Sequence, residues 1–340
     1  MRFSVTYVER MFVLRETGER VESGGEKESL GPPTIDEYWE RLAETGYEEG
    51  GRRLRSRGRT EGRPHISVVT PVYNAVGTLK DTIESVLAQE RTDVEYVIVD
   101  GGSTDGTLDL IRRYDDALDY WMSGPDEGIY DAMNQGIAQC HGSVIGILNA
   151  DDVYQVGALS RVSEAYDQDA RKGVYHGDLI IEMEEFNPQR YSPPDPLTVR
   201  SFCRGMPVNH PATFVHRSAY EQHGLFDTDY DLAADAELML RFLRAGVEFS
   251  YIPVVLTRMR AGGASMQRAC EARKEVHEAL LATNPPLRYQ LSSYLDVLLK
   301  CTSTKLHRHL RRGSTTRSLL KAYRTLKQKW KGEGSVLASR

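Results

Sequence analysis

The sequence has few cysteines, no long apolar run and no excess of positive charge. Its four cysteines, Cys140, Cys203, Cys270 and Cys301, lie scattered through 340 residues without a CxxC pair. That spacing points away from a disulfide framework and from a thiolate zinc site, and it suits a reducing cytosol. No stretch approaches the roughly 18 apolar residues of a membrane-crossing helix. The opening MRFSVTYVERMFVLRE carries Glu9, Arg10 and Arg15 where a secretory signal would have its apolar core. A cytoplasmic protein is therefore expected. The formal net charge of −6 argues against a nucleic-acid partner. Two nucleotide fingerprints are missing as well. The first strand-to-helix turn reads PVYNAVG rather than GxGxxG, and there is no GxxxxGK[ST].

The charge is unevenly spread. Residues 301–340 hold eleven Lys and Arg against one acid, Glu333, which leaves 32 basic and 48 acidic side chains on the rest, a net of −16. Within this tail Leu319, Tyr323, Leu326 and Trp330 recur at helical spacing, flanked by Arg317, Lys321, Arg324 and Lys327. Such a basic amphipathic helix suits an anionic membrane surface on the cytoplasmic side, and it suits packing on its own domain equally.

Three parts are expected along the chain: an extension over 1–63, a central α/β domain over 64–265, and a mostly helical extension over 266–340. Residues 1–25 alternate loosely, as a short hairpin would. Thr34 and Glu37 read as a capping box, opening a short helix with Ile35, Tyr38, Trp39 and Leu42 on one side. Residues 49–64, polar, Gly-rich and basic, read as a linker. From Ile66 strands and helices alternate. Strands are expected at 66–70, 94–99, 120–122, 144–148, 173–182, 188–191, 212–216 and 248–252. Helices are expected at 78–89, 107–114, 129–138, 157–169 and 235–245. This pattern predicts a Rossmann-like, mixed and mainly parallel sheet flanked by helices.

In open sheets of this kind ligands bind beyond the carboxyl ends of the strands. Three polar clusters fall there: Thr70–Asn74, Asp100–Gly106 and Asn149–Asp152. In the last, two adjacent acids follow a buried strand. Adjacent carboxylates repel, and a divalent cation relieves the repulsion. Mg²⁺ in particular takes one or two carboxylates plus substrate phosphate oxygens.

Four segments, ISVVTPVYNAVGTLKDTIESVLAQ, YVIVDGGSTDGT, GIYDAMNQGIAQCHGSVIGILNADD and GLFDTDYDLAADAELMLR, resemble family-two glycosyltransferases with the GT-A fold, over about residues 65–265. The resemblance implies an inverting enzyme using a nucleotide-diphosphate sugar (UDP, GDP or dTDP), Mn²⁺ or Mg²⁺, and a saccharide or lipid-linked saccharide acceptor, in cell-envelope or extracellular polysaccharide synthesis. It implies that Pro71, Tyr73, Asn74 and Asp100 form the nucleobase edge, joined by Asp126. It gives Asn149 a sugar or ribose hydrogen bond, sets Asp151 near ribose and metal, and sets Asp152 against metal or diphosphate. Asp235 matches the catalytic base, with Glu237 as a fallback two residues on. His210 matches a segment facing the acceptor and metal side. Arg258 and Arg260 match a loop closing over the diphosphate.

Plainer readings stand beside these. Asp151, Asp152, Asp126 and Asp235 can cap helices, as Asp105 is expected to do. His210 can be a satisfied structural histidine, and the two arginines surface charges. A sugar-nucleotide nucleotidyltransferase would want a Gly-rich, basic loop after the first strand, which PVYNAVG is not. A non-catalytic binding module would keep the nucleotide site alone.

Overall fold

The computed structural model describes residues 31–44, 46–55, 65–90, 93–183 and 186–311. The hairpin expected within 1–25 and the basic stripe from Arg317 to Trp330 lie outside them. The described residues from Pro32 onward form one compact unit.

Ten described strands make one mixed sheet: β1 (Glu48–Gly50), β2 (Ile66–Val72), β3 (Val94–Asp100), β4 (Tyr120–Ser123), β5 (Val144–Ile147), β6 (Val153–Tyr154), β7 (Val174–Met183), β8 (Phe186–Tyr191), β9 (Thr213–His216) and β10 (Phe249–Arg260). Their order is β1-β4-β3-β2-β5-β9-β7-β10-β6, with β8 paired to β7. The run β4-β3-β2-β5 is parallel throughout, so the carboxyl ends of these four strands share one rim. Alternate residues go to opposite faces. Ile66, Val68, Tyr96 and Ile98 enter the core on one side, and Val69, Val97 and Val99 enter the core on the other. Both faces are covered, which explains why these strands read as continuous apolar runs. Gly136, in the helix Ile129–Gln139, allows a close helix–sheet approach. A Cβ there would come within 2.2 Å of Val69 Cγ1.

Residues before the first central strand dock onto the same unit, the helix among them packing on Ile129–Gln139 and the strand Glu48–Gly50 joining the sheet. The helix Ile35–Glu44 begins with the expected capping box: Thr34 N donates to Glu37 Oε2 at 2.6 Å, and Glu37 N donates to Thr34 Oγ1 at 3.3 Å. It buries Ile35, Tyr38 and Leu42, while Trp39 is left 43% exposed. Tyr38 donates to the buried Asp131 at 2.6 Å, and Arg41 pairs with the same carboxylate. The linker expected over 49–64 is corrected in its first part. Glu48–Gly50 pairs antiparallel with β4, and Arg52–Arg55 forms a short helix. Arg53 stacks 4.1 Å over Tyr120 and donates to Gln139 O at 2.7 Å. Basic composition suggested a solvated linker, yet Arg53 finds aromatic and carbonyl partners, and Arg52 and Arg55 pair with Asp119 and Asp115.

The cysteine expectation is also corrected. Cys270 and Cys301 form a disulfide, with Cα atoms 4.8 Å apart, joining the helices Ala269–Ala282 and Leu287–Arg311. A helix–turn–helix brings together two positions 31 residues apart, which spacing alone does not reveal. Cys140 and Cys203 are buried free thiols. Among the described residues no helix is long and apolar enough to cross a membrane.

Candidate active site

β2, β3 and β4 stop in register, with Val72 opposite Asp100 and Asp100 opposite Ser123. Asp100 therefore leaves the sheet between two neighbours and is 1% exposed. Its carboxylate accepts from Ser123 Oγ at 2.6 Å, from the Ser103 amide at 3.1 Å and from the Ser103 hydroxyl. The Ser103 oxygen in turn accepts from the Asn74 amide at 2.7 Å, and Asn74 Oδ1 accepts from the Thr104 amide at 2.9 Å. Asn74 holds φ at 49°, a left-handed conformation that Asn tolerates better than most residues. Asp100, Ser103 and Asn74 thus lock the turns after β2 and β3 together. Tyr73 stands 64% exposed beside them, whereas Pro71 is buried within β2. Asp105 accepts from the Thr107 amide at 3.0 Å and from its hydroxyl at 2.6 Å; the N-cap itself is Gly106, so Asp105 braces the helix start from one residue ahead rather than capping it as expected.

Asp126 approaches the same turn. A Cβ at residue 101 would sit 2.3 Å from Asp126 Oδ2, so only Gly101 leaves room for this carboxylate. Asp126 also accepts from the Gly128 amide at 2.9 Å. Burial, with Asp131 and Asp100 nearby, pushes its carboxyl above the usual range.

The turn after β5 holds the paired acids. Asp152 is 1% exposed and accepts from the Arg260 amide at 3.2 Å and from Asn149 Nδ2 at 3.3 Å. Burial and then the neighbouring Asp151 push it up to about 8. Asp151, partly exposed, is raised by burial. Asn149 Oδ1 is buried without a protein partner. Among the described residues, no three His, Cys, Asp or Glu side chains cluster as a metal cage. The two adjacent carboxylates nevertheless match the hard-oxygen donors of a cation that completes its shell with substrate phosphate.

Arg258 and Arg260 lie in the last residues of β10 rather than in a loop, which corrects that expectation. Pairing with β7 extends the strand that far, and Arg260 lies opposite Glu182. Arg258 pairs with Glu182. Arg260 reaches the acids through its backbone, and its guanidinium bonds Asp81 at 2.8 Å.

Asp235 stands in the first turn of the helix Ala234–Arg244. It is not the N-cap, which is Ala233, and its Oδ1 accepts from the adjacent Ala236 amide at 2.8 Å. Burial nevertheless pushes the carboxyl up to about 6, with Glu275 adding to the rise. His210 Nδ1 lies 3.9 Å away from Asp235 Oδ2. Burial pulls the imidazole down to about 4, so it is neutral at pH 7 and the contact is not an ion pair. His210 Nε2 has no partner. Ile147, His210, Phe226 and Asp235 line one narrow cavity. Ile147 ends β5 two residues before Asn149, so the cavity that Asp235 lines borders the strand leading into the paired acids. Glu237 is committed to Arg241 at 2.8 Å.

The sequence reading missed Ser103 and Ser123, which hold Asp100, and Glu275. Glu275 accepts the amides of Leu232 at 2.8 Å and Ala233 at 3.0 Å, just before the Asp235 helix. Ser103 stood within a quoted motif. Glu275 gave no local signal.

Residues 67–224 match the family described as Glycosyl transferase family 2. An uncharacterized glycosyltransferase of Mycobacterium tuberculosis is 33% identical over 186 residues, covering 52% of this chain and 68% of that protein. A PGL/p-HBAD biosynthesis glycosyltransferase of Mycobacterium bovis is 30% identical over 198 residues, covering 57% of this chain and 75% of that protein. Among solved structures, the mannosyltransferase PcManGT from Pyrobaculum calidifontis, in complex with GDP-Man and Mn²⁺, aligns with a TM-score of 0.56. It covers 86% of this chain and 87% of that chain at 18% identity, a likeness of fold alone.

Proposed function

The chain belongs to glycosyl transferase family 2 and has the GT-A fold, and on that premise we propose that it transfers a sugar, with inversion, from a nucleotide-diphosphate donor to an acceptor hydroxyl. The nucleoside lies along Tyr73, Asn74, Asp100 and Asp126. The diphosphate lies at the turn Asn149–Asp152, close to Arg260. A divalent cation, Mn²⁺ or Mg²⁺, would be held by Asp151 and Asp152 and would neutralise charge on the departing diphosphate. Asp235 removes the proton from the acceptor hydroxyl as that oxygen attacks the anomeric carbon. The bond to the diphosphate breaks on the opposite face, so configuration inverts. The acceptor is a saccharide or lipid-linked saccharide of a cell envelope or extracellular polysaccharide.

The observation that carries this reading is the placing of Asp235. A largely shielded carboxylate, its side chain 20% exposed, raised to about 6 is poised near neutral pH, as a general base should be. It lines one cavity with Ile147, the last residue of β5, the strand that leads into the paired acids. The test is thermal stabilisation by UDP, GDP and dTDP, each with and without Mn²⁺, followed by hydrolysis of the matching sugar donor. One nucleotide should stabilise the protein in a Mn²⁺-dependent manner, and its sugar should be released slowly. Binding without release would favour a non-catalytic module, and no binding would remove the donor site.

A further inference from the structure

The helix Leu287–Arg311 is held by one face only. On that face Ser293 contacts His277 Nδ1 at 3.0 Å, Asp296 meets Arg273 at 3.3 Å, and Val297 is buried. The disulfide between Cys270 and Cys301 pins the same side. The opposite face carries Leu287, Leu291, Leu295, Leu298 and Leu299, each between 43% and 61% exposed. Their spacing is that of one helical stripe, about 18 Å long at 1.5 Å per residue. Isolated exposed leucines need no explanation, but five in a row on a pinned helix do. Asp296 is the one acid between 287 and 304, and it is turned onto Arg273, so no carboxylate stands among the leucines.

We infer that this leucine face docks on an anionic lipid bilayer. Charge in the sequence selects that occupant. The segment 301–340 starts within the same helix and holds eleven Lys and Arg against one acid, on a chain otherwise net negative. An apolar stripe alone would fit a second copy or another protein as well. A stripe followed by a polybasic segment fits a surface that offers acyl chains and negative headgroups together. Stable membrane attachment characteristically requires two such signals, because one alone binds marginally and reversibly. The juxtamembrane attraction acts within a Debye length, so it weakens as salt rises.

Vesicle flotation of the full chain tests this inference, using phosphatidylcholine vesicles with and without phosphatidylglycerol. The wild type should float with the anionic vesicles and much less with the neutral ones, and high salt should release part of it. The double variant Leu291→Asp/Leu295→Asp should lose about tenfold in partitioning. Both positions face solvent, so its thermal midpoint should match the wild type, which separates lost docking from lost folding. Equal flotation of the variant would overturn the proposal, and so would no flotation of the wild type. A dimer in buffer that depends on the same leucines, without vesicle binding, would assign the face to a second copy instead. None of these readouts requires sugar transfer.

Discussion

Asp235 sits where a carboxylate is costly to charge. The helix N-terminus favours the anion, and its own bond to the Ala236 amide does too. Burial outweighs both and pushes the group up to about 6. A base must be deprotonated to act, so turnover should rise with pH through about 6 and level off above it. Asp235→Asn should cut turnover by about 10²–10⁴-fold and leave nucleotide affinity unchanged, since the bonds of Asp235 run to Ala236 and its neighbours are His210 and Glu275, not the turns after β2 and β3. Nucleotide release measured between pH 4.5 and 8 would check both points. A variant with unchanged turnover would take the role away from Asp235.

At the scale of elements, the helix bearing Asp235 starts without a side-chain cap on Ala233. Glu275, from the helix Ala269–Ala282, supplies the acceptor for the two preceding amides. Glu275→Ala should therefore let the first turn shift and lower turnover by about ten- to a hundredfold, with donor affinity unchanged. Glu275→Gln keeps an acceptor but removes a charge that raises Asp235. Its acid limb should move to lower pH with most of the turnover kept, a result that a purely structural role would not give. The helix Ile35–Glu44 makes a similar long-range contact, within the same hydrophobic core as Ala233 and Ala234. Tyr38→Phe leaves the buried Asp131 short of one donor and should cost about 1–3 kcal/mol, read as a lower urea midpoint. These elements also mark where the sequence was legible. The capping box of Thr34 and Glu37 and the parallel strands could be read because their signals are local. Glu275 could not, because its partners lie 43 and 42 residues away. Arg258 and Arg260 followed a motif into a loop, whereas β7 pairing keeps them in a strand.

Over the whole molecule, the rim positions came from topology. Parallel strands put Asp100 and the Asn149–Asp152 turn at one end of the sheet, and sequence order alone was enough to expect that. The state of each acid was not legible, because burial depends on distant segments. For Asp235 that burial has a consequence for the stability of the entire fold. Its folded value lies near 6, above its ordinary 3.8. The folded chain therefore binds the proton more tightly than the unfolded chain. This contribution to stability is greatest below about pH 4 and is lost as pH rises through about 6. At about 1.4 kcal/mol per unit, the ionised group destabilises the fold by on the order of 3 kcal/mol at pH 8. Asp235→Asn removes that cost. The variant should unfold at higher urea than the wild type at pH 8, and the gap should narrow steadily toward pH 4. The pH range that ionises the base is thus the range in which the fold is least stable, so activity and stability should respond to Asp235 with opposite sign. Equal urea midpoints at pH 8 would mean that the carboxylate is solvated in the native state, and the acid limb near pH 6 would then need another owner.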